Sequence, residues 1–272
     1  MQVLPAEAAA KIAPRPAATT LILRDGAAGL EVLMVRRSPH ASFMPGAYVF
    51  PGGAVDAQDG SPASEAACEE SADELATRIG AVTLVGELAL AYAVAALREC
   101  FEECGIWLGA ADPTAADWAG LRARLHAGET LASLAPSAGL ALATRALQPW
   151  SHWVTPLGLV KRFDTLFFVV KAPPGQVPEV DQGETTTLAW VKPSNGLAAH
   201  ARGKFPMEFA TVRTVESLLP FAAGSVDVLL AHAGAQTHLP PLHPRLKLDA
   251  ERRIVGVLLP GQAGYDSALA GD

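Results

Sequence analysis

The sequence of this 272-residue chain predicts an α/β fold, on the strength of its hydrophobic pattern. Two short apolar runs, at 19–24 and 30–37, flank the turn DGAAG and have the form of a β-hairpin. A long helix is predicted at 87–105, where apolar residues recur at spacings of three and four. Two later runs, at 161–172 and 185–193, are rich in β-branched and aromatic residues and predict further strands.

The composition fits one large globular domain. Half of the residues are hydrophobic and 18% are charged, which is enough for a full core. The net charge of −7, with no block of basic residues, removes the attraction on which nucleic acids and anionic membranes rely, so we expect neither as a partner. The longest apolar run, LALAYAVAAL, has ten residues and falls short of the roughly 18 that span a bilayer.

The cysteines indicate a reducing compartment. Cys68, Cys100 and Cys104 form neither an even disulfide framework nor a paired zinc pattern. Cys100 and Cys104 are four apart on the predicted long helix, and we interpret them as buried free thiols. The expected location is therefore the cytoplasm.

Other segments are assigned from local composition. A strand is predicted at 47–55, where AYVFPGGAV runs into a double glycine. From about 57 to 86 the chain is first polar and then helical, and we interpret this stretch as an insertion. Two short helices separated by PSAG are predicted within 112–147, and a further helix at 208–219. The stretch 240–261 is expected to be irregular and to end in a strand pair.

The end of the long helix carries three glutamates within five residues. At 100° per residue, Glu99, Glu102 and Glu103 fall within an arc of about 100° opposite the apolar stripe. Like charges so close repel one another, and the helix macrodipole disfavours negative charge at a C-terminus. A solvated acidic face is one interpretation. The other is a divalent cation, because carboxylates at this spacing suit Mg²⁺ or Mn²⁺.

Two stretches resemble the two halves of the Nudix hydrolase signature. Residues 98–106, RECFEECGI, match its second half. In the first half Gly53 stands at the signature glycine, and Asp59 stands where the family has a glutamate. Arg98 follows Gly53 by 45 positions instead of the family's 14, so 31 extra residues interrupt the signature. The same interruption occurs in a branch of the family that includes peroxisomal coenzyme A diphosphatases. Residues 37–59 resemble the segment that precedes the insertion in that branch.

This resemblance implies a Nudix fold, a mixed β-sheet in an α/β/α sandwich. It covers residues 17–220, which we predict to be a Nudix hydrolase domain interrupted at about 57–86. Residues 221–272 are expected to form a C-terminal extension packed on that domain. Three roles are open to the insertion: covering the site as a lid, recognising the substrate, or making dimer contacts. A homodimer is therefore one expectation.

The resemblance also assigns roles to residues of the signature. Glu99 and Glu103 would bind the metal directly, and Glu102 would bind it directly or through a neighbouring group. The backbone near Gly53 would supply a further ligand. Arg98 would orient the carboxylates through a charge-assisted bond, so Arg98 and Glu102 count among the expected catalytic residues.

Two positions of the expected site have more than one candidate. The outer glutamate of the signature has Asp59 or Glu87 as its replacement, or no equivalent. The general base is expected in the loop before a late strand. Glu184 is the first candidate for the base, and Asp181 is the second.

The reaction that the resemblance implies is metal-assisted attack of water on a diphosphate. The leading substrate is coenzyme A or acyl-coenzyme A, cleaved to adenosine 3′,5′-bisphosphate and a 4′-phosphopantetheine product. Its 3′-phosphate requires basic residues near the cleft, and each candidate is equally an ordinary surface charge. The candidates are Arg36, Arg37, His40, Lys161 and Arg162. ADP-ribose or a dinucleotide is the alternative substrate, and a non-catalytic Nudix-like binding module is the alternative class of protein.

Overall fold

The computed structural model describes residues 3–41, 44–80, 85–108, 116–181, 183 and 185–268. The strands are β1 (Arg15–Gly26), β2 (Gly29–Arg37), β3 (Tyr48–Val49), β4 (Gly52–Ala54), β5 (Gln148–Val154), β6 (Phe163–Lys171), β7 (Thr185–Val191), β8 (Arg245–Leu248) and β9 (Ile254–Leu258). The α-helices are α1 (Ala6–Ala9), α2 (Pro62–Ala67), α3 (Ala72–Ile79), α4 (Gly86–Cys104), α5 (Trp118–His126), α6 (Leu131–Ser137), α7 (Pro193–Ala201), α8 (Phe209–Ser217) and α9 (Val226–Gly234).

Strands β1 to β7 form one mixed sheet. Its order is β3-β2-β1-β6-β5, while β4 pairs with β1 and β7 pairs with β2. Strands β1 and β6 run parallel, and the other neighbours run antiparallel. Strands β8 and β9 form a separate hairpin, which is the strand pair predicted near the C-terminus.

Helices cover both faces of this sheet. Along β1, Ile22 points to one core, with Leu33 of β2, and Leu21 and Leu23 point to the other, with Val32 of β2. Helices α3 to α6 contribute to the first core, and α8 and α9 contribute to the second. The three layers confirm the predicted α/β class and the α/β/α sandwich.

Helix α4 forms where the periodicity predicts it and is the central helix of the first core. Residues 89–97 are buried at every position, because this half of the helix is apolar on all sides and must be covered on all sides. Helix α3 supplies part of that cover, since Leu75 and Ile79 are fully buried in the same core. The helices of the predicted insertion therefore lie against the half of α4 that precedes Arg98.

An ion pair fastens this inserted segment to the rest of the chain. Glu70 is 4% exposed and accepts two hydrogen bonds from Arg78, both at 2.9 Å. The same guanidinium donates to the carbonyls of Thr144 and Leu147, at 2.9 and 2.6 Å. Because these carbonyls lie just before β5, the segment is tied to the sheet as well as to α4.

The thiols of α4 confirm the interpretation as buried free cysteines. Cys100 and Cys104 are both free and buried. Burial is the main cause that raises the pKa of Cys104 to about 12. Both side chains therefore act as small apolar groups rather than as nucleophiles.

The structure corrects two predicted elements. The single strand predicted at 47–55 is two strands, because the chain leaves β2 after Val49 and joins β1 at Gly52, with Pro51 between them unable to donate to a ladder. The helices predicted within 112–147 do not meet at PSAG. They meet just before Thr130, whose side chain caps α6, and PSAG overlaps the end of α6.

The sequence analysis missed β5, α7 and α9. Strand β5 lies at the edge of the sheet and contains Pro149, where the register with β6 shifts before Ser151. A proline and a bulge hide the alternation that predicts a strand. Helix α7 begins with PSNG, residues that are typical of turns, and α9 is apolar at most of its positions, so neither has a clear amphipathic period.

The described residues contain no single helix that is long and apolar enough to cross a membrane. One pair, Phe209–Phe221 and Val226–Gly234, bent by 110°, passes the test together by length and composition alone. Both members place buried side chains in the second core, including Val215 and Leu229. The division of the chain at residue 220 stays a prediction.

Candidate active site

The fold joins the two halves of the interrupted signature at the C-terminal end of α4. The backbone N–H of Gly52 donates to Oε2 of Glu103 at 3.0 Å, although 51 positions separate the two residues. Glu103 is only 3% exposed. The start of β4 and the last turn of α4 therefore form one surface, held together by a buried carboxylate.

Gly53 allows a second carboxylate to approach the same loop. A β-carbon at this position would lie 2.3 Å from Oε1 of Glu99, far inside van der Waals contact. Gly53 also pairs with Ala18 of β1, so the sheet prevents the loop from moving away. Gly53 therefore permits this close approach, and a larger residue would force the carboxylate of Glu99 to move.

Arg98 connects the carboxylates of this surface. Its Nη1 donates to Glu99 at 2.8 Å and to Glu102 at 2.9 Å. Its Nε and Nη2 donate to the two oxygens of Asp59, at 3.1 and 3.0 Å, and Nη2 also donates to the carbonyl of Ala54 at 2.8 Å. The guanidinium thus bridges the loop after β4 and two glutamates of α4, an arrangement suited to orienting carboxylates.

Burial and the neighbouring charges shift the pKa values of Arg98 and Glu102 in opposite directions. Burial lowers the pKa of Arg98, but the hydrogen bond with Asp59 and the charges of Glu99 and Glu102 outweigh it, so the pKa is raised. Burial raises the pKa of Glu102, and the charge of Arg98 opposes that effect only in part. Arg98 therefore stays a cation, and burial disfavours the charged form of Glu102.

Of the two candidates for the outer acidic position, only Asp59 reaches this network. Asp59 is 3% exposed, and both of its oxygens contact Arg98. Glu87 is exposed in the first turn of α4, twelve residues before Glu99. At 1.5 Å per residue this separation is about 18 Å along the helix, too far for a shared contact.

The candidates for the general base lie in the loop before β7. Glu184 lies outside the described residues, and its role stays a prediction. Oδ1 of Asp181 accepts hydrogen bonds from the backbone of Gly183 and from the backbone and hydroxyl of Thr185, at 2.9 to 3.1 Å. Asp181 therefore shapes this loop.

The adjacent arginines at the end of β2 have different surroundings. Arg37 pairs with Thr185, whose hydroxyl is 3.4 Å from the carbonyl of Glu103. Arg36 donates from Nε to the carbonyl of Gly46 at 3.2 Å, and its guanidinium lies 5.7 Å above the ring of Tyr48. Arg37 is thus the one whose strand position adjoins the glutamates of α4.

The remaining basic candidates are an exposed histidine and two residues before β6. His40 and Lys161 are exposed. Arg162 donates to the backbone carbonyls of Ile12 and Thr155, at 2.8 and 3.1 Å, and so fastens the N-terminal segment. A substrate role for these three residues stays a prediction.

Sequence reasoning missed Arg122, a residue of α5 that contacts the signature helix. Its Nη2 and Nε donate to the backbone carbonyl of Glu102 at 2.6 and 3.0 Å. No pattern in the sequence relates Arg122 to Glu102, because the acceptor is a backbone atom and the contact depends on how α5 packs.

The donors at this surface fit a divalent cation in chemical type. Carboxylates and a backbone carbonyl are the hard oxygen ligands that Mg²⁺ and Mn²⁺ prefer. Across the part of the chain that the structure describes, no three His, Cys, Asp or Glu side chains are grouped as a ligand set. Glu99 and Glu102 contact Arg98, and Glu103 contacts Gly52, so metal binding would require these carboxylates to turn.

Comparisons with known proteins agree with this geometry. The family model described as NUDT19 Nudix domain matches residues 3–85. The human protein named acyl-coenzyme A diphosphatase NUDT19 is 29% identical, in an alignment that covers 79% of this chain and 72% of that protein. The Caenorhabditis elegans protein named putative nudix hydrolase 7 is 25% identical, over 65% of this chain and 51% of that protein. A crystal structure of a NUDIX hydrolase from Alicyclobacillus acidocaldarius matches with a TM-score of 0.65 at 28% identity, over 81% of this chain and 97% of that one.

The fold, the joined signature and these relatives define the class of protein that this chain resembles: it has the fold and the interrupted signature of a Nudix hydrolase. Within that class it resembles the coenzyme A diphosphatase branch, to which the matching family model and the human relative point.

Gly53→Ala is expected to displace the carboxylate of Glu99 and to lower hydrolytic turnover at least about tenfold, because a shift of about 1 Å at an active site can cost about 100-fold. Steady-state kinetics would measure the loss, and circular dichroism would check the fold. Gly256→Ala is the matched control, since its β-carbon would meet nothing closer than Lys247 at 3.9 Å. Full turnover by a folded Gly53→Ala variant would contradict the close approach.

Proposed function

We propose that the protein hydrolyses the diphosphate linkage of coenzyme A or acyl-coenzyme A with the help of Mg²⁺ or Mn²⁺. The products would be adenosine 3′,5′-bisphosphate and a 4′-phosphopantetheine derivative. The observation that carries the proposal is the contact of Gly52 and Gly53 with Glu103 and Glu99, across an interruption like that of the coenzyme A diphosphatase branch. The name of the human relative supports the choice of substrate.

The carboxylates of α4 would hold the metal in this reaction. Glu99 and Glu103 would bind it directly, Glu102 would bind it directly or through a neighbour, and the backbone near Gly53 would add an oxygen ligand. Once bound, Mg²⁺ or Mn²⁺ would neutralise charge on the diphosphate and activate the attacking water. Arg98 would keep Glu99 and Glu102 oriented, since one of its nitrogens already contacts both.

A base must take the proton from the attacking water. Glu184 is our first choice, because it immediately precedes β7 in the sequence and Nudix hydrolases often carry the base before a late strand. Asp181 is the second choice, although its Oδ1 already accepts hydrogen bonds from Gly183 and Thr185. A base that accepts these bonds is a weaker proton acceptor, which favours Glu184.

Recognition of the 3′-phosphate would require basic side chains beside the glutamates. Arg37 is the best placed of the candidates, because its partner Thr185 contacts the last turn of α4. Arg36, His40 and Arg162 are the other candidates, and they would contribute only if the bound nucleotide extends to them.

The proposal also keeps the cytoplasm as the location and leaves a homodimer as an expectation. Three free cysteines support a reducing compartment.

Removal of metal and a panel of substrates test this function together. Protein treated with a chelator is expected to lose hydrolysis, and added Mn²⁺ or Mg²⁺ should restore it. Coenzyme A, an acyl-coenzyme A, ADP-ribose and a dinucleotide would be compared by chromatography of the products. We expect the highest kcat/KM for the coenzyme A compounds.

Each alternative has its own outcome in that panel. No hydrolysis of any coenzyme A thioester would contradict the proposed substrate, and turnover of ADP-ribose or a dinucleotide would replace it. Binding of a nucleotide without hydrolysis, measured by calorimetry in the presence of metal, would identify a non-catalytic module. Hydrolysis that persists after complete chelation would contradict the metal requirement.

A further inference from the structure

The last turn of α4 has a donor group beside each of its final four carbonyls. The final four carbonyls of any α-helix lack a partner within the regular i to i+4 ladder and need donors from elsewhere. In α4 the donors come from the capping residue, α5, β7 and the loop before β7. Gly105 N–H donates to Phe101 at 3.1 Å, Arg122 donates to Glu102 at 2.6 Å, and Glu179 N–H donates to Cys104 at 2.9 Å. The Thr185 hydroxyl lies 3.4 Å from the carbonyl of Glu103 and shares its one hydrogen between that carbonyl and Asp181, which is nearer at 3.0 Å. The turn that carries the glutamates is thus held from several sides.

Arg122 is the charged donor among these four. The last turn of α4 contains no basic residue of its own, although it carries Glu102 and Glu103 at the negative end of the helix dipole. The guanidinium of Arg122 places a positive charge at that end, with two N–H groups on one carbonyl. The charge that the helix sequence lacks is therefore supplied by α5.

Gly105, the final glycine of the signature, makes room for this contact. Its φ of +67° is the left-handed conformation that closes a helix at little cost only for glycine. A β-carbon there would also lie 3.2 Å from Nη1 of Arg122, tighter than an ordinary contact. Gly105 therefore both ends α4 and admits Arg122.

We propose that Arg122 is a positioning residue for hydrolysis: by holding the carbonyl of Glu102, it fixes the backbone from which the carboxylates of Glu102 and Glu103 extend. The proposal rests on the proposed function for its catalytic consequence. A movement of about 1 Å in groups that act on a substrate can cost about 100-fold in rate. Contacts with the substrate would be unaffected, so the loss should appear in kcat rather than in KM.

Arg122→Gln tests this role against Arg124→Gln, a control two residues away on α5. Arg124 is half-exposed, and its guanidinium pairs with Glu129 instead of α4. Arg122→Gln is expected to lower kcat at saturating metal at least tenfold, with KM within about twofold of the wild type. Arg122→Lys keeps the positive charge and has one donor nitrogen instead of the two that contact Glu102, so it should retain more of the wild-type kcat than Arg122→Gln. Arg124→Gln should have the kinetics of the wild type.

A second measurement reports on position without any substrate. Hydrogen exchange of the amides at 101–105 should be faster in Arg122→Gln and unchanged in Arg124→Gln, with thermal unfolding used to confirm that both variants are folded. A kcat for Arg122→Gln within twofold of the wild type would overturn the proposal, as would a rise in KM at unchanged kcat. If the wild type hydrolyses nothing in the panel, the proposed function fails, but hydrogen exchange still tests whether Arg122 holds the backbone of Glu102. Unchanged protection of the amides at 101–105 in Arg122→Gln would refute that role.

Discussion

Glu103→Gln is expected to remove almost all turnover while the protein stays folded. Gln keeps the size of the side chain, and its carbonyl oxygen can still accept the N–H of Gly52, so the start of β4 should hold its place. The negative charge is lost, however, and a neutral amide is a poor ligand for Mg²⁺ or Mn²⁺. We expect kcat/KM to fall more than about 100-fold, beyond the 10- to 100-fold typical of groups that only support a ligand.

Kinetics at several metal concentrations would separate the possible causes of this loss. Glu102→Gln should also abolish turnover, whereas the exposed Glu129→Gln should retain it, because Glu129 pairs with Arg124 at the surface of α5. Circular dichroism and thermal unfolding would establish that the variants are folded. Full activity in either Glu102→Gln or Glu103→Gln would refute the metal assignment.

Arg98→Met is expected to destabilise the fold as well as the site. Asp59 is 3% exposed, and its side chain accepts two hydrogen bonds from Arg98, so removal of the guanidinium leaves a buried carboxylate without its countercharge. Breaking a buried ion pair in this way costs about 3 to 5 kcal/mol of the free energy of unfolding. Urea unfolding, monitored by tryptophan fluorescence, would measure the change in the free energy of unfolding.

A double-mutant cycle isolates the interaction of Arg98 with Asp59. Asp59→Asn alone should also lower the free energy of unfolding. The loss in the double variant should be smaller than the sum of the two single losses by more than about 1 kcal/mol. Arg253→Met is a control at an exposed pair, since Arg253 is 72% exposed, and it should cost no more than about 1 kcal/mol. Additive losses at Arg98 and Asp59 would contradict a direct pair.

Elements with a strong local pattern were predicted, and elements that depend on their neighbours were not. The hairpin of β1 and β2 and the helix α4 repeat apolar residues with a period that their own geometry requires. Strand β5 is held at the sheet edge by β6 on one side, and a bulge after Pro149 breaks its alternation. The broken signature predicts an insertion at about 57–86, but it gives no information on how α3 packs against α4.

The same division applies within the site. The resemblance to the signature groups Gly53 with Glu99 and Glu103, and the structure places these residues together. Their roles as metal ligands remain predictions. The choice of Asp59 over Glu87 could not be made, because spacing carries no information across an insertion of undetermined shape. The roles of Glu184 and of the basic residues at the end of β2 remain predictions.

The local order of residues therefore predicts the class of this protein and the chemical type of its site, because helix periodicity and signature spacing are properties of short segments. Folding determines which distant groups complete that site. Asp59 meets Arg98 across 39 positions, and Arg122 meets the carbonyl of Glu102 across 20. Both contacts exist because whole elements pack against one another, and no short segment of the chain contains both partners.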